Sequence, residues 1–110
     1  MTPAARDDER LADIFKAMGH PLRLRLLRDV ARGELCVSAL GRQADSAQAT
    51  VSQHLRILRD RGLVVPERRG GMTCYRLADK RIADLVRRAR NVFGLNGEPK
   101  AASPKAHACK

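Results

Sequence analysis

The chain has 110 residues, room for one domain with a modest core that a second copy is expected to help complete. Its only aromatic rings are Phe15, Phe93 and Tyr75, which leaves Leu, Ile, Val, Ala and Met to build the interior and favours helices packed on helices. Lys and Arg number 22 against 12 Asp and Glu, a formal net charge of +10 that makes nucleic acid the leading partner; on charge alone the alternative is a basic protein that is merely soluble.

No apolar run approaches the roughly 18 residues of a membrane span. Met1 to Arg10 is polar and acidic and lacks the basic flank and apolar stretch of a leader, so a cytoplasmic location is expected. Cys36, Cys74 and Cys109 are too few and too scattered for a disulfide framework, and in a reducing compartment they are expected as free thiols.

In chain order, residues 1–8 read as an N-terminal arm, although the helical pattern itself starts within it. Residues 7–18 carry Leu11, Ile14, Phe15 and Met18 at helical spacing, with acidic residues in the expected first turn. Gly19 and His20 end this helix, and Pro21 opens a second one in which Leu22, Leu26, Leu27 and Val30 face inward. The alternation around Arg23 to Leu27 also fits a strand, but Pro21 and the lack of β-branched residues before Val30 favour helix. Leu35 and Cys36 are expected to be extended, and 37–44 a short third helix.

Residues 45–61 place Val51, Leu55 and Leu58 on one face and Gln48, Thr50, Ser52, Gln53, Arg56 and Arg59 largely on others, with Gly62 at the end. Ala47 cannot cap this helix, so Asp45 is expected to do so, with Gln48 in capping-box spacing, or Ser46 in its place. Residues 63–77 read as a two-stranded hairpin with Glu67 to Gly71 at its tip, a wing carrying Arg68 and Arg69. A last helix is expected from Asp79, with Ile82, Leu85, Val86, Ala89 and Phe93 in register. From residue 96 the composition turns to Gly, Pro, Ser, Ala and Lys, the mark of a disordered basic tail at 96–110, which leaves 9–95 as the folded domain.

A short helix, a turn, a second helix with polar tips and a basic hairpin form a winged helix-turn-helix pattern, mainly α with a small β-hairpin and about five helices. In such a pattern the second helix enters the major groove. Gln pairs bidentately with adenine and Arg with guanine, while hydroxyls meet bases or phosphates, which makes Gln48, Thr50, Ser52, Gln53, His54 and Arg56 the candidate readers. By itself the segment is also a plain solvated amphipathic helix, and it is the order of elements that favours DNA. His54 fits either a DNA contact or a packed, hydrogen-bonded position, whereas His20 fits a structural one. No nucleophile with its base, carboxylate pair or phosphate loop stands in a recognisable spacing, so catalysis is not expected. The competing classes are a protein-interaction module and a sequence-independent DNA-coating protein. The arginines at 56, 59, 61, 68 and 69 argue for phosphate over a protein partner.

The stretches HPLRLRLL, GELCVSAL, ATVSQHLRILRDRGLV and RRGGMTCYRL resemble the ArsR/SmtB family of bacterial regulators over roughly residues 9–93. That resemblance implies a homodimer built through the first and last helices, binding an inverted-repeat operator in double-stranded DNA and repressing until a chemical signal releases it. It carries the DNA-reading role to Gln48, Thr50, Ser52, Gln53, His54 and Arg56, with Arg68 and Arg69 on the wing. The family's zinc-type site on the last helix finds Asp79 in place, but Arg81 stands where a His is needed and Val92 and Leu95 at the partner positions, so that site is not expected. The family's other site keeps one sulfur, Cys36, with Ser38 where a second Cys often stands.

Trivalent arsenic or antimony, or a soft metal ion, would require further thiolates, from Cys74 or Cys109. Because the segment before the third helix often pairs with the wing, Cys36 and Cys74 are expected to be neighbours, open to oxidant or reactive sulfur. They are equally compatible with an inert buried residue and a strand filler. His107 and Cys109 form a conceivable tail ligand set.

Overall fold

The computed structural model describes residues 2–33, 35–36 and 47–95. The first helix, α1, spans Pro3–Met18. It starts four residues before the expected position and takes in most of the predicted arm, because the Thr2 hydroxyl accepts from the Ala5 N–H at 3.1 Å and Pro3 fits the first helical turn. Its first turn therefore holds no acidic residue, and Asp7, Asp8 and Glu9 follow in the next turn. Helix α2, Pro21–Ala31, is capped by His20, whose Nδ1 accepts from the Leu22 N–H at 3.0 Å. The segment that also fitted a strand is helical, and it buries Leu26, Leu27, Asp29 and Val30. Arg25 donates from Nε to both oxygens of the buried Asp29, at 3.1 and 3.3 Å.

Strand β1, Leu35–Cys36, is the extended pair read from the sequence. The expected third helix at 37–44, and the tail from 96 with His107 and Cys109, lie outside the described residues. Helix α3, Gln48–Asp60, starts at a cap residue, Ala47, that makes no side-chain bond. Asp45 and Ser46, the expected caps, lie outside the described residues, and the first turn shows the backbone bond from Val51 N to Ala47 O at 3.0 Å. Its other end is closed by Gly62 at φ 75°, with the Gly62 N–H on Arg59 O and the Leu63 N–H on Leu58 O, the paired bonds of a Schellman end.

Strands β2, Val64–Arg69, and β3, Met72–Leu77, pair antiparallel from Val64 opposite Leu77 to Arg69 opposite Met72. The turn is shorter than expected. Glu67, Arg68 and Arg69 belong to β2, and only Gly70 and Gly71 make the loop, at φ 55° and 81°, the positive pair that a tight hairpin turn demands. β1 adds on the other side of β3, giving the order β1-β3-β2. Pro66 sits on β2, an edge strand, where its missing N–H breaks no ladder.

Helix α4, Arg81–Val92, begins two residues after the expected start, with the Asp79 carboxylate accepting from the Arg81 N–H at 2.8 Å. None of the helices among the described residues is long and apolar enough to cross a membrane.

One core joins these pieces: Ala17 and Met18 from α1, Leu26, Leu27 and Val30 from α2, Val51, Leu55 and Leu58 from α3, and Leu63, Val64 and Tyr75 from the hairpin region. Each Leu, Val or Met among them contributes about 1.5–3 kcal/mol through burial. Leu55→Ala, at a position with no exposed surface, is expected to destabilise the fold by about 2–5 kcal/mol in a urea titration, since it removes buried methyl groups and leaves a cavity between α2 and the sheet. An exposed control, Gln53→Ala, should stay within about 0.5 kcal/mol.

Candidate nucleic-acid interface and thiol pair

Val51, Leu55 and Leu58 recur at helical spacing and have no exposed surface, so α3 is locked to the body along one stripe. The opposite side must then point to solvent. Gln48, Thr50, Gln53 and Arg56 are exposed and Ser52 is half-buried, so five of the six candidate readers stand on or beside the free face. The sixth, His54, is half-buried and turned toward α2: its ring lies 4.5 Å from that of His20, and Arg23 Nη1 donates to its Nδ1 at 3.3 Å. Accepting there fixes the proton of a neutral ring on Nε2.

Arg56 and Arg59 face the wing across a cleft of about 370 Å³ that Gln48, Ser52, Met72 and Cys36 also line. Sequence reasoning grouped five arginines as phosphate ligands, and the structure divides them. Arg59 is bonded to Asp60 at 3.0 Å, and Arg61 reaches back to Asp13 of α1 at 2.7 Å. Arg69 pairs with Glu67 at 3.1 Å, and the same carboxylate takes Arg76 at 3.4 Å. Arg68 donates to the Thr73 hydroxyl at 3.4 Å and stays exposed. Asp13, which neutralises Arg61, is 48 residues away in sequence, so no local pattern could reveal it.

The cysteines are closer than any spacing could tell. Register places Cys36 directly opposite Cys74 across β1 and β3, and their Sγ atoms are 3.0 Å apart. The expectation of free thiols is thereby corrected for these two: they are held as a disulfide-bonded pair, and none of the cysteines among the described residues is free. Cys36 retains 4% of its surface and Cys74 none, and they form a buried cluster separate from the main core. Alternation along β3 explains the separation: Tyr75 turns into the helical core and Cys74 to the other face.

A protein-family model described as "Bacterial regulatory protein, arsR family" matches residues 20–65, from the α2 cap through α3 to the start of the wing. The chain is 33% identical to the crystal structure of the transcriptional repressor BigR from Xylella fastidiosa, covering 84% of this chain and 97% of that one with a TM-score of 0.70. It belongs to the arsR family.

A "Transcriptional repressor SmtB homolog" of Synechocystis is 40% identical over 79 residues; the match takes in 72% of this chain and 60% of the relative's length. A solution structure from Mycobacterium bovis, titled a homodimeric winged helix-turn-helix DNA-binding domain, superposes with a TM-score of 0.78 at 29% identity, covering 86% and 87% of the two chains. The winged helix-turn-helix fold expected from the sequence is therefore the fold of this chain, and the arsR-family protein is a transcriptional regulator, not an enzyme.

At the position the resemblance matched to the family's zinc-type site, the Asp79 carboxylate is occupied by Arg81, which donates from Nε and Nη2 at 3.1 and 2.7 Å. These bonds pull the Asp79 pKa down to about 2.

Desolvation, then His20, then Arg23 lower the His54 pKa below its ordinary value. A group whose folded-state pKa is depressed binds fewer protons than in the unfolded chain. Its contribution to stability is therefore whole above the unfolded value of about 6.5 and is lost as pH falls through the lower folded value. Melting temperature should accordingly drop on acidification below that point, and His54→Gln, which keeps an acceptor for Arg23, should flatten this part of the profile. An unaltered slope in the variant would remove His54 as the titrating group.

Proposed function

We propose that the chain is a cytoplasmic, homodimeric repressor that binds an inverted-repeat operator in double-stranded DNA and leaves it when the Cys36–Cys74 pair is chemically altered. The observation that carries the DNA half is the free face of α3, with Gln48, Thr50, Gln53 and Arg56 outward beside a wing that presents Arg68. In this reading Gln48, Gln53 and Arg56 read base edges, Thr50 and Ser52 bind bases or phosphates, and Arg68 binds the backbone. Arg69 joins only if phosphate displaces Glu67. His54 is assigned to holding α3 against α2, with no contact to DNA.

Dimerisation is supported by the apolar surface that a single chain leaves open. Phe15 and Leu11 on α1 are about half exposed, and Val92, Phe93 and Leu95 at the end of α4 are more so. A second copy covering both helices would set two α3 helices one turn of B-DNA apart, about 34 Å, and couple their docking. Release is a population shift: an altered pair binds β1 and the wing differently and disfavours the DNA-competent arrangement.

In its reduced form the pair suits an oxidant or reactive sulfur species directly. It also suits a soft metal ion, while trivalent arsenic or antimony would draw in a third sulfur, for which Cys109 is the remaining cysteine.

Electrophoretic shift titrations across a salt series test the assignment of roles. Arg56→Ala should relax discrimination at one base position by about 1–3 kcal/mol, whereas Arg68→Ala should weaken binding to all sequences and lower the salt slope by about one. An unchanged slope in the second variant would displace the wing from the interface. Equal loss on every duplex in the first would make Arg56 a backbone contact.

A further inference from the structure

We infer that the pocket between α2 and α4 binds a small organic anion, an apolar body bearing one carboxylate, with the carboxylate on Arg28 and Arg32 and the body against Leu27 and Val86. This pocket shares no lining residue with the cleft between α3 and the wing, so the inference goes beyond the DNA-binding reading and does not depend on it.

The pocket has a volume of about 290 Å³. On each of the two helices an apolar pair and an arginine pair recur at one-turn spacing. Leu27 and Ala31 run beside Arg28 and Arg32 on α2 and its cap, and Ala83 and Val86 run beside Arg87 and Arg90 on α4. Where the helices pack, these rows meet, and the result is a partly apolar pocket with four guanidinium groups in its wall. Sites for small molecules run from about 300 to 1,000 Å³, so the volume suits a compact ligand of one or two rings or a short branched chain.

The cations here outnumber their counterions. Asp84 is taken by Arg87 at 2.9 Å, and the buried Asp29 by Arg25 at 3.1 Å. Neither bond involves Arg28 or Arg32, and no salt bridge among the described residues does. Half-buried Arg28 feels the crowding directly: burial lowers its pKa, and Arg25, Arg90 and Arg32 lower it further against the opposing pull of Asp29. An anion seated beside it relieves that repulsion.

The lining selects the kind of anion. A guanidinium offers parallel N–H donors that match the two oxygens of a carboxylate. An inorganic anion would satisfy the arginines but leave Leu27, Ala83 and Val86 against water, and a neutral hydrocarbon would cover those side chains while leaving the arginines unmet.

The test uses the full chain with 2-naphthoate as the probe, 2-naphthamide as its neutral match and inorganic sulfate as an anion without an apolar body. Titration calorimetry should find one 2-naphthoate per chain, bound about tenfold or more tighter than 2-naphthamide, and saturating probe should raise the melting temperature where equal sulfate does not. Arg28→Gln should weaken 2-naphthoate about tenfold, since it removes a charge-assisted bond. Ala31→Leu puts a good helix former at an exposed position and fills the pocket, with a similar loss expected, and it keeps the test open should Arg28→Gln fold poorly. Arg88→Gln makes the same change of charge at an exposed α4 position outside the lining and should leave the Kd within about twofold.

Equal affinity for the acid and the amide overturns the inference, because the pocket is then an apolar patch. Equal loss in Arg88→Gln overturns it too, because net charge alone then holds the probe, and so does a full chain that binds no 2-naphthoate. The remaining occupant is the acidic turn of α1 from a second copy. Replacing Asp7, Asp8 and Glu9 together by their amides should leave the Kd unaltered, and tighter binding in that variant would assign the pocket to the turn instead. DNA enters none of these measurements, so their failure leaves the DNA-binding reading standing, and failure of that reading leaves them unchanged.

Discussion

Everything in this fold turns on the packing of α3 through Val51, Leu55 and Leu58. Once that stripe is buried against α2 and the hairpin region, the helix has no rotational freedom, and its polar side must face outward. Rotating the helix about its axis to present a different face would expose at least one of three side chains that now have no accessible surface, at about 1.5–3 kcal/mol each. The polar face is thus held in place by hydrophobic burial on the opposite side of the helix. Arg23, His54 and His20 add a polar seam along the contact of α2 with α3, where a charged imidazole is disfavoured by its surroundings.

The element order was legible because each boundary carries a local cause. Pro21 opens α2, Gly62 closes α3, and the Gly70–Gly71 pair forces the wing turn, all through backbone preferences that belong to single residues. The start of α1 was misplaced because Thr2 and Pro3 outweigh the helix dipole's preference for the acidic group that follows.

The site was legible in kind and less so in detail. Periodicity separates the buried stripe of α3 from its polar side, so Gln48, Thr50, Gln53 and Arg56 could be picked out, but it leaves His54 undecided, since its neighbours His20 and Arg23 come from another helix. Charge counting cannot see which arginines are already engaged. Arg61 meets Asp13 only because α1 folds back across the end of α3. The cysteine pair stood between these cases, because topology placed β1 beside the wing while only the register could set Cys36 opposite Cys74.

Glu67 gives the wing a character that its arginine content conceals. With one oxygen toward Arg69 on its own strand and the other toward Arg76 across the ladder, it acts as an internal counterion that travels with the hairpin. A polyanion approaching the wing therefore finds two of its cations already compensated by a covalently tethered rival. It liberates fewer mobile ions from its own atmosphere than a tally of basic residues implies. Under the proposed function the hairpin would hold DNA less tenaciously but more selectively by position, since only a phosphate aligned well enough to outcompete the carboxylate could claim the second arginine.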